Sequence, residues 1–146
     1  MVRVFLDASV YFAGCYSPTG ASALILKLAK RKRLQLVASR LVLYEAERNL
    51  RVKGSRKALQ EFHRLLQAVK LRMIRTPSDS VLARYDGVIH PNDVPVLAAA
   101  LEANVEYLVT LDRRHFLTPA VRSKAAHVHV LTPGDFLKVL VRLTPV

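Results

Sequence analysis

The chain has 146 residues, 51% of them apolar, and carries 23 Lys and Arg against 11 Asp and Glu, for a formal charge of +12. That length fits one domain with one core, expected to span residues 1–146, and the charge favours a polyanionic partner, nucleic acid ahead of an anionic membrane surface. The single cysteine, Cys15, excludes an internal disulfide, and no apolar run reaches the roughly 18 residues of a membrane span, so the chain reads as soluble and cytoplasmic with no membrane partner.

In chain order, Val2–Leu6 is a short β-branched and aromatic run that stops at Asp7 and predicts a buried strand. Ser17-Pro18-Thr19-Gly20 is a turn or helix-start cluster, after which Ala21, Leu24, Ile25, Leu28 and Ala29 form the stripe of an amphipathic helix. Leu34–Ala38 is a second strand, and Ser39 caps a helix running to about Leu50. Gly54-Ser55 ends that helix. The next, to Lys70, presents Ala58, Phe62, Leu65, Leu66 and Val69 on one face. Leu71–Arg75 predicts a strand, residues 76–79 open a short helix, and Tyr85 to Asn92 reads as loop. Asp93 can cap a helix with Pro95 in its first turn. Glu106–Thr110 and Val128–Leu131 are further strands, and Thr132-Pro133 starts a terminal helix. Strands alternate with helices throughout, which predicts a three-layer α/β/α fold with a mostly parallel central sheet.

In a chain so poor in acids, their placement is informative. Asp7 closes the first strand, Asp112 lies two residues beyond a later one, and Asp93 opens a helix after a loop. All three belong to the carboxyl rim, where open parallel sheets bind ligands. Glu45 lies about a turn and a half into the helix after Ser39. Carboxylates gathered in this way repel one another, and a hard divalent cation relieves that repulsion; Mg²⁺ takes oxygen ligands and can polarise a phosphate and activate a water. An acidic pocket inside a basic protein therefore suits phosphodiester hydrolysis. Taken singly, each acid has a plainer reading: Asp7 as a helix cap or turn residue, Asp112 as a turn residue, Asp93 as an N-cap, Glu45 as the partner of Arg48. Their joint placement makes the case.

The segments Val4 to Ser9 (VFLDAS), Ser39 to Leu50 (SRLVLYEAERNL), Asn92 to Ala100 (NDVPVLAAA) and Tyr107 to Asp112 (YLVTLD) resemble the four motifs of PIN-domain nucleases, in order and spacing. The resemblance implies a parallel sheet and a Mg²⁺ or Mn²⁺ site that cleaves RNA. It further implies kinship with the VapC-like toxins of toxin–antitoxin pairs, held inactive by a cognate antitoxin and often homodimeric. It assigns Asp7, Glu45, Asp93 and Asp112 as catalytic metal ligands, with Ser9 and Thr110 as small hydroxyl residues flanking them. Glu47 is the rival to Glu45; the family's acid precedes a core leucine, here Leu50, by five residues, and Glu47 has Arg51 at i+4 as a surface partner. The chain departs from the pattern at Arg114, where relatives often carry another acid, and at His90, where some carry an aspartate; with fewer carboxylates, one firmly bound ion is expected, with a second recruited by substrate phosphate.

Arg113 and Arg114 adjoin Asp112 and are expected to bind substrate by stabilising charge on the phosphate. Lys27 with residues 30–33, and Arg48, Arg51, Lys53, Arg56 and Lys57, form two basic patches for RNA or an acidic partner segment. His127 and His129 alternate on a strand and read as exposed histidines, while Tyr11, Phe12 and Tyr16 pack the first loop and helix or stack on bases. The competing function is a catalytically silent PIN-like domain that binds RNA or a partner protein. A phosphatase using Asp7 as nucleophile would want a second aspartate where Ser9 stands.

Overall fold

The computed structural model describes residues 1–143. Five strands, β1 (Val2–Leu6), β2 (Leu34–Ser39), β3 (Arg72–Ile74), β4 (Tyr107–Val109) and β5 (His129–Leu131), form one sheet in the order β3-β2-β1-β4-β5. Every pairing is parallel, with Val4 opposite both Leu36 and Tyr107, and Leu108 opposite Val130. A parallel sheet covered on both faces needs strands without polar alternation. Val4, Phe5, Leu6, Leu36, Val37, Leu108 and Val109 supply that, all fully buried.

Helices α1 (Ala8–Tyr16), α2 (Ala21–Lys30), α3 (Arg40–Lys53) and α4 (Arg56–Ala68) carry the chain from β1 to β3 and pack on one another. Helices α5 (Asp79–Ala83) and α6 (Val94–Glu102), with a single 3₁₀ turn at Pro91–Asp93 between them, carry it back across to β4. That connection runs in the opposite direction along the sheet, so right-handed crossovers put it on the other face. A short α7 (Pro119–Lys124) leads to β5, and α8 (Pro133–Leu143) packs against α2, β4 and β5. This is a three-layer α/β/α arrangement. No helix among the described residues is long and apolar enough to cross a membrane.

The caps follow the sequence. Ser39 accepts from the Val42 N–H at 3.3 Å, Ser55 from Ala58 at 3.0 Å, and Thr132 from Asp135 at 3.2 Å. Three local features differ from expectation. Leu24 is 45% exposed, and α2 instead buries Ser22, Ala23, Ile25, Leu26 and Ala29. The stripe is rotated because α2 is wedged among α1, α4, α8 and β2 rather than lying on one flat face. Helix α1 has no polar face to betray it, since α2, α3 and α4 all pack on it. Helix α7 is opened by Thr118 and Pro119, the same cap signature that marks α8.

The order β3-β2-β1-β4-β5 reverses direction between β1 and β4. At such a switch point the loops after two neighbouring strands part to opposite faces and leave a crevice at the carboxyl rim. The residues that leave β1 and β4 there are Asp7 and Thr110 to Asp112.

Candidate functional site

Asp7 is 8% exposed and occupies the N-cap position of α1, yet its carboxylate makes no capping bond. Its Oδ2 instead accepts from Ser9 Oγ and from Thr110 Oγ1, both at 2.9 Å. The two hydroxyls are themselves held: Ser9 Oγ accepts from the Leu111 N–H at 3.1 Å, and Thr110 Oγ1 from the Asp112 N–H at 3.0 Å. Four short bonds thus lock the ends of β1 and β4 together and fix where Asp7 points. A hydroxyl donating to a carboxylate forms a charge-assisted bond, the stronger class.

Asp93 also stands at an N-cap position, that of α6, without capping it. The turn that carries it is set by His90, whose Nδ1 accepts from the Asn92 N–H at 3.1 Å, and by the Asp93 N–H donating to His90 O at 2.9 Å. Across the crevice, Asp112 receives the backbone N–H of His115 on Oδ1 and lies 2.9 Å from His115 Nδ1 through Oδ2. His115 Nδ1 is 3.8 Å from Asp93 Oδ2, so one imidazole sits between two acids. Ligand atoms of Asp93, Asp112 and His115 lie within 4.8 Å of one another, the spacing of a metal ligand set. The sequence alone assigns His115 no role; its position three residues after Asp112, on the turn leaving β4, is the available signal.

Glu45 projects from α3 into the same field. Its carboxyl is held above the ordinary carboxylate range by burial, then by the negative charges of Asp7 and Asp93. Asp93 is raised as well, by burial first and then by Asp112 and Asp7, with His115 and His90 acting in the other direction. These mutual effects place all four acids in one electrostatic cluster. Glu47 points elsewhere, with Oε1 2.7 Å from Arg51 and Oε2 3.5 Å from His63.

The contrast with the remaining acids is informative. Of the seven, Asp79 and Asp86 stand apart and exposed to solvent, with no ion pair among the described residues, while Glu47, Glu61, Glu102, Glu106 and Asp135 each pair with a lysine or arginine within 4.0 Å. Among the described residues none of Asp7, Glu45, Asp93 and Asp112 does, although cations outnumber acids by 23 to 11. The expected pairing alternative of Glu45 with Arg48 is not formed. Arg113 and Arg114 are exposed on the turn beside Asp112 and form no ion pair among the described residues. His127 and His129 are exposed, His129 lying against Tyr107. Tyr11 is fully buried against Phe62, whereas Tyr16 stacks on Phe12 and stays 56% exposed.

Four carboxylates in one electrostatic cluster, at a switch point, with the buried one anchored by two hydroxyls, form a donor set of hard oxygens that fits a divalent cation. The chain matches the family described as PIN domain over residues 3–114. It belongs to the PIN-domain family. The match ends just beyond Asp112 and takes in all four acids of the cluster. Among solved structures, this PIN domain is similar to that of VapBC2 from Rickettsia felis bound to a DNA fragment from their promoter, at 15% identity and a TM-score of 0.62, over 90% of this chain and 98% of that one. It is also similar to FitAcB from Neisseria gonorrhoeae, at 16% identity and a TM-score of 0.60, again over 90% and 98%. FitAB bound to an IR36 DNA fragment gives 18% identity and a TM-score of 0.58 over 89% and 94%. At these identities the likeness establishes the fold. A search of curated proteins finds no match.

Proposed function

We propose that this PIN domain is a divalent-metal-dependent endoribonuclease acting in the cytoplasm, with Asp7, Glu45, Asp93 and Asp112 as its metal ligands. One observation carries the reading: in a chain with a +12 charge, these four acids converge without a single lysine or arginine partner among the described residues. Leaving carboxylates uncompensated beside each other is costly unless another cation is meant to sit there. A bound Mg²⁺ or Mn²⁺ would supply Lewis-acid polarisation of a phosphate and a water of lowered pKa.

The chain's own residues prepare the site. Ser9 and Thr110 hold Asp7 in one orientation through Oδ2, which leaves Oδ1 free to serve a metal ion. His115 keeps the Asp112 carboxylate in place, and its imidazole adds a nitrogen donor that suits Mn²⁺ better than Mg²⁺. It also stands near the place where relatives often carry a further acid, so the local donor set keeps its number while losing a negative charge. Arg113 and Arg114, outside the acid cluster, are placed to meet charge on the substrate phosphate.

The reading extends to the toxin half of a toxin–antitoxin pair, supported by the VapC-like sequence motifs and by likeness to VapBC and FitAB assemblies. A protein partner would find a groove of about 300 Å³ between α1, α2 and α4. Leu26, Ala58 and Leu65 line it, and Lys27, Lys30 and Lys57 edge it, which suits an amphipathic segment carrying acids. Cleavage of a labelled structured RNA by wild type and Asp7→Asn, with Mg²⁺, Mn²⁺ or chelator, tests the enzyme. Metal-dependent cutting lost in the variant is the expected result. Calorimetry that finds no divalent-ion binding, with RNA binding retained, would replace it with the catalytically silent reading.

A further inference from the structure

The carboxyl rim of the sheet carries more than acids. The acid cluster stands over β1 and β4, in the middle of the order β3-β2-β1-β4-β5. On the β2–β3 side, Arg40 follows β2 directly and Arg75 follows β3. With Met73, Ile74 and Thr76 they enclose a recess of about 410 Å³. On the β4–β5 side, Arg113 and Lys138 line a second recess, of about 440 Å³.

The second recess also receives the first turn of the ten-residue helix α2. Gly20 occupies that helix's N-cap and offers no side chain to its free N–H groups. Ser22, only 7% exposed, lines the recess with a hydroxyl that has no partner among the described residues. The acid in this lining is Asp135, 56% exposed and 4.0 Å from Lys138, a loose pair that solvent screens. Arg40, Arg75 and Arg113 pair with no acid among the described residues. Free N–H groups, a hydroxyl donor and unpaired cations are what an oxyanion of −1 charge requires, and backbone phosphate is the repeating oxyanion of a nucleic acid.

We propose that a single strand of RNA lies along this rim and straddles the acid cluster. One backbone phosphate sits with Arg40 and Arg75, and another with Arg113, Lys138 and the first turn of α2. This rests on the ribonuclease reading and adds the course of the strand. Tyr44 lies one helical turn from Arg40 and next to Glu45, and its ring is 65% exposed. It offers a stacking surface for a base on the helix that carries both Arg40 and Glu45. Neighbouring strands lie ~4.8 Å apart, so β3 to β5 spans roughly 19 Å. At ~3.4 Å per stacked nucleotide that is about five or six nucleotides. A trinucleotide cannot reach both recesses; a hexanucleotide can.

The test separates binding from cleavage by using full-length Asp7→Asn protein in chelator, with fluorescein-labelled oligouridylates of three, six and nine nucleotides read by anisotropy. Affinity should rise steeply from three to six nucleotides and then level off. Arg40→Gln with Arg75→Gln, and Arg113→Gln with Lys138→Gln, should each flatten the slope of log K against log[salt] by ~0.7, which is about fivefold in affinity at 0.1 M salt. Tyr44→Ala should weaken the hexamer without changing that slope. Arg31→Gln with Arg33→Gln, away from the rim, should change neither. All these side chains are exposed, and unchanged thermal melts would confirm that the variants fold. If RNA binds but the Arg31/Arg33 variant alone flattens the slope, or if no oligonucleotide binds, the rim path is overturned. Failure of wild-type protein to cleave with Mn²⁺ overturns the ribonuclease reading instead, and leaves the binding result to be read on its own.

Discussion

Replacing Thr110 with valine isolates the hydroxyl that ties two of the acids together. Thr110 is fully buried; Oγ1 donates to Asp7 Oδ2 at 2.9 Å and accepts from the Asp112 N–H at 3.0 Å. Valine keeps the shape and removes both bonds. A hydrogen bond to a charged acceptor contributes ~1.5–3 kcal/mol, and a half-buried N–H that loses its partner costs ~1 kcal/mol. Ser9 still donates to the same carboxylate oxygen, so a net loss of about 2–3 kcal/mol is expected. Thr110→Ser keeps the hydroxyl and removes one buried methyl, at ~1 kcal/mol. The valine variant should therefore be the less stable by about 1–2 kcal/mol in urea unfolding, although serine is the smaller residue. At roughly 3 °C per kcal/mol for a chain of this size, the valine variant should melt about 6–9 °C below wild type. Mn²⁺ affinity should fall in the same order, valine well below serine, because Asp7 loses its orientation. Equal stability and equal metal affinity in the two variants would refute the claim that this hydroxyl organises the site.

Four further outcomes are expected. Glu45→Gln should lower Mn²⁺ affinity in calorimetry and abolish cleavage while raising metal-free stability, because it removes one of the mutually repelling charges; Glu47→Gln should retain cleavage and cost no more than ~0.5 kcal/mol in chemical denaturation, the worth of an exposed pair. Glu45 and Asp93 titrate above the ordinary carboxylate range, so the folded protein holds their protons more tightly than the unfolded chain does, and their contribution to metal-free stability falls as pH rises through that range toward their raised values. Since Mn²⁺ competes with those protons, its stabilising effect in thermal melts should be larger at pH 7.5 than at pH 5, and the difference should shrink in Glu45→Gln. His115→Ala should narrow the preference for Mn²⁺ over Mg²⁺ measured by calorimetry. Tyr11→Phe should stabilise the protein by ~1 kcal/mol in urea, since the Tyr11 hydroxyl is buried without a partner among the described residues.

The fold was legible wherever the chain keeps one period for a whole element. The apolar runs Val4–Leu6 and Leu36–Ala38 mark the parts of β1 and β2 buried on both faces, and Ser39, Ser55 and Thr132 mark helix starts by a chemistry that acts within three residues. Helix α1 was not legible for the opposite reason. Packed by α2, α3 and α4, it fills even its partly exposed positions with Phe12, Ala13, Gly14 and Tyr16, and an all-round apolar helix has no period to read. The shift of the α2 stripe from Leu24 to Ser22 and Leu26 has the same origin, because the direction in which a helix is buried is decided by neighbours distant in sequence.

The site was legible through a scarcity argument, and its limits follow from that argument. A chain with 11 acids and 23 cations has cations to spare, so acids gathered together on one rim and clear of cations stand out, whereas the separate, solvent-exposed Asp79 and Asp86 do not. Strand ends locate Asp7 and Asp112, because a strand fixes where its last residue points. A helix fixes only a face, which is why Glu45 and Glu47 had to be separated by partner rather than by position; in space Arg51 and His63 claim Glu47 and leave Glu45 to the acids. His115 was beyond reach because its role depends on Asp93, 22 positions away, lying across the crevice from Asp112. Sequence separation hides any group whose partner arrives from another element. The same reasoning picks out the rim cations: Arg40 and Arg75 become neighbours only when β2 and β3 pair, with Ser39 opposite Ile74. The acids can be picked out from within single segments, whereas the path proposed for the strand depends on how the segments assemble.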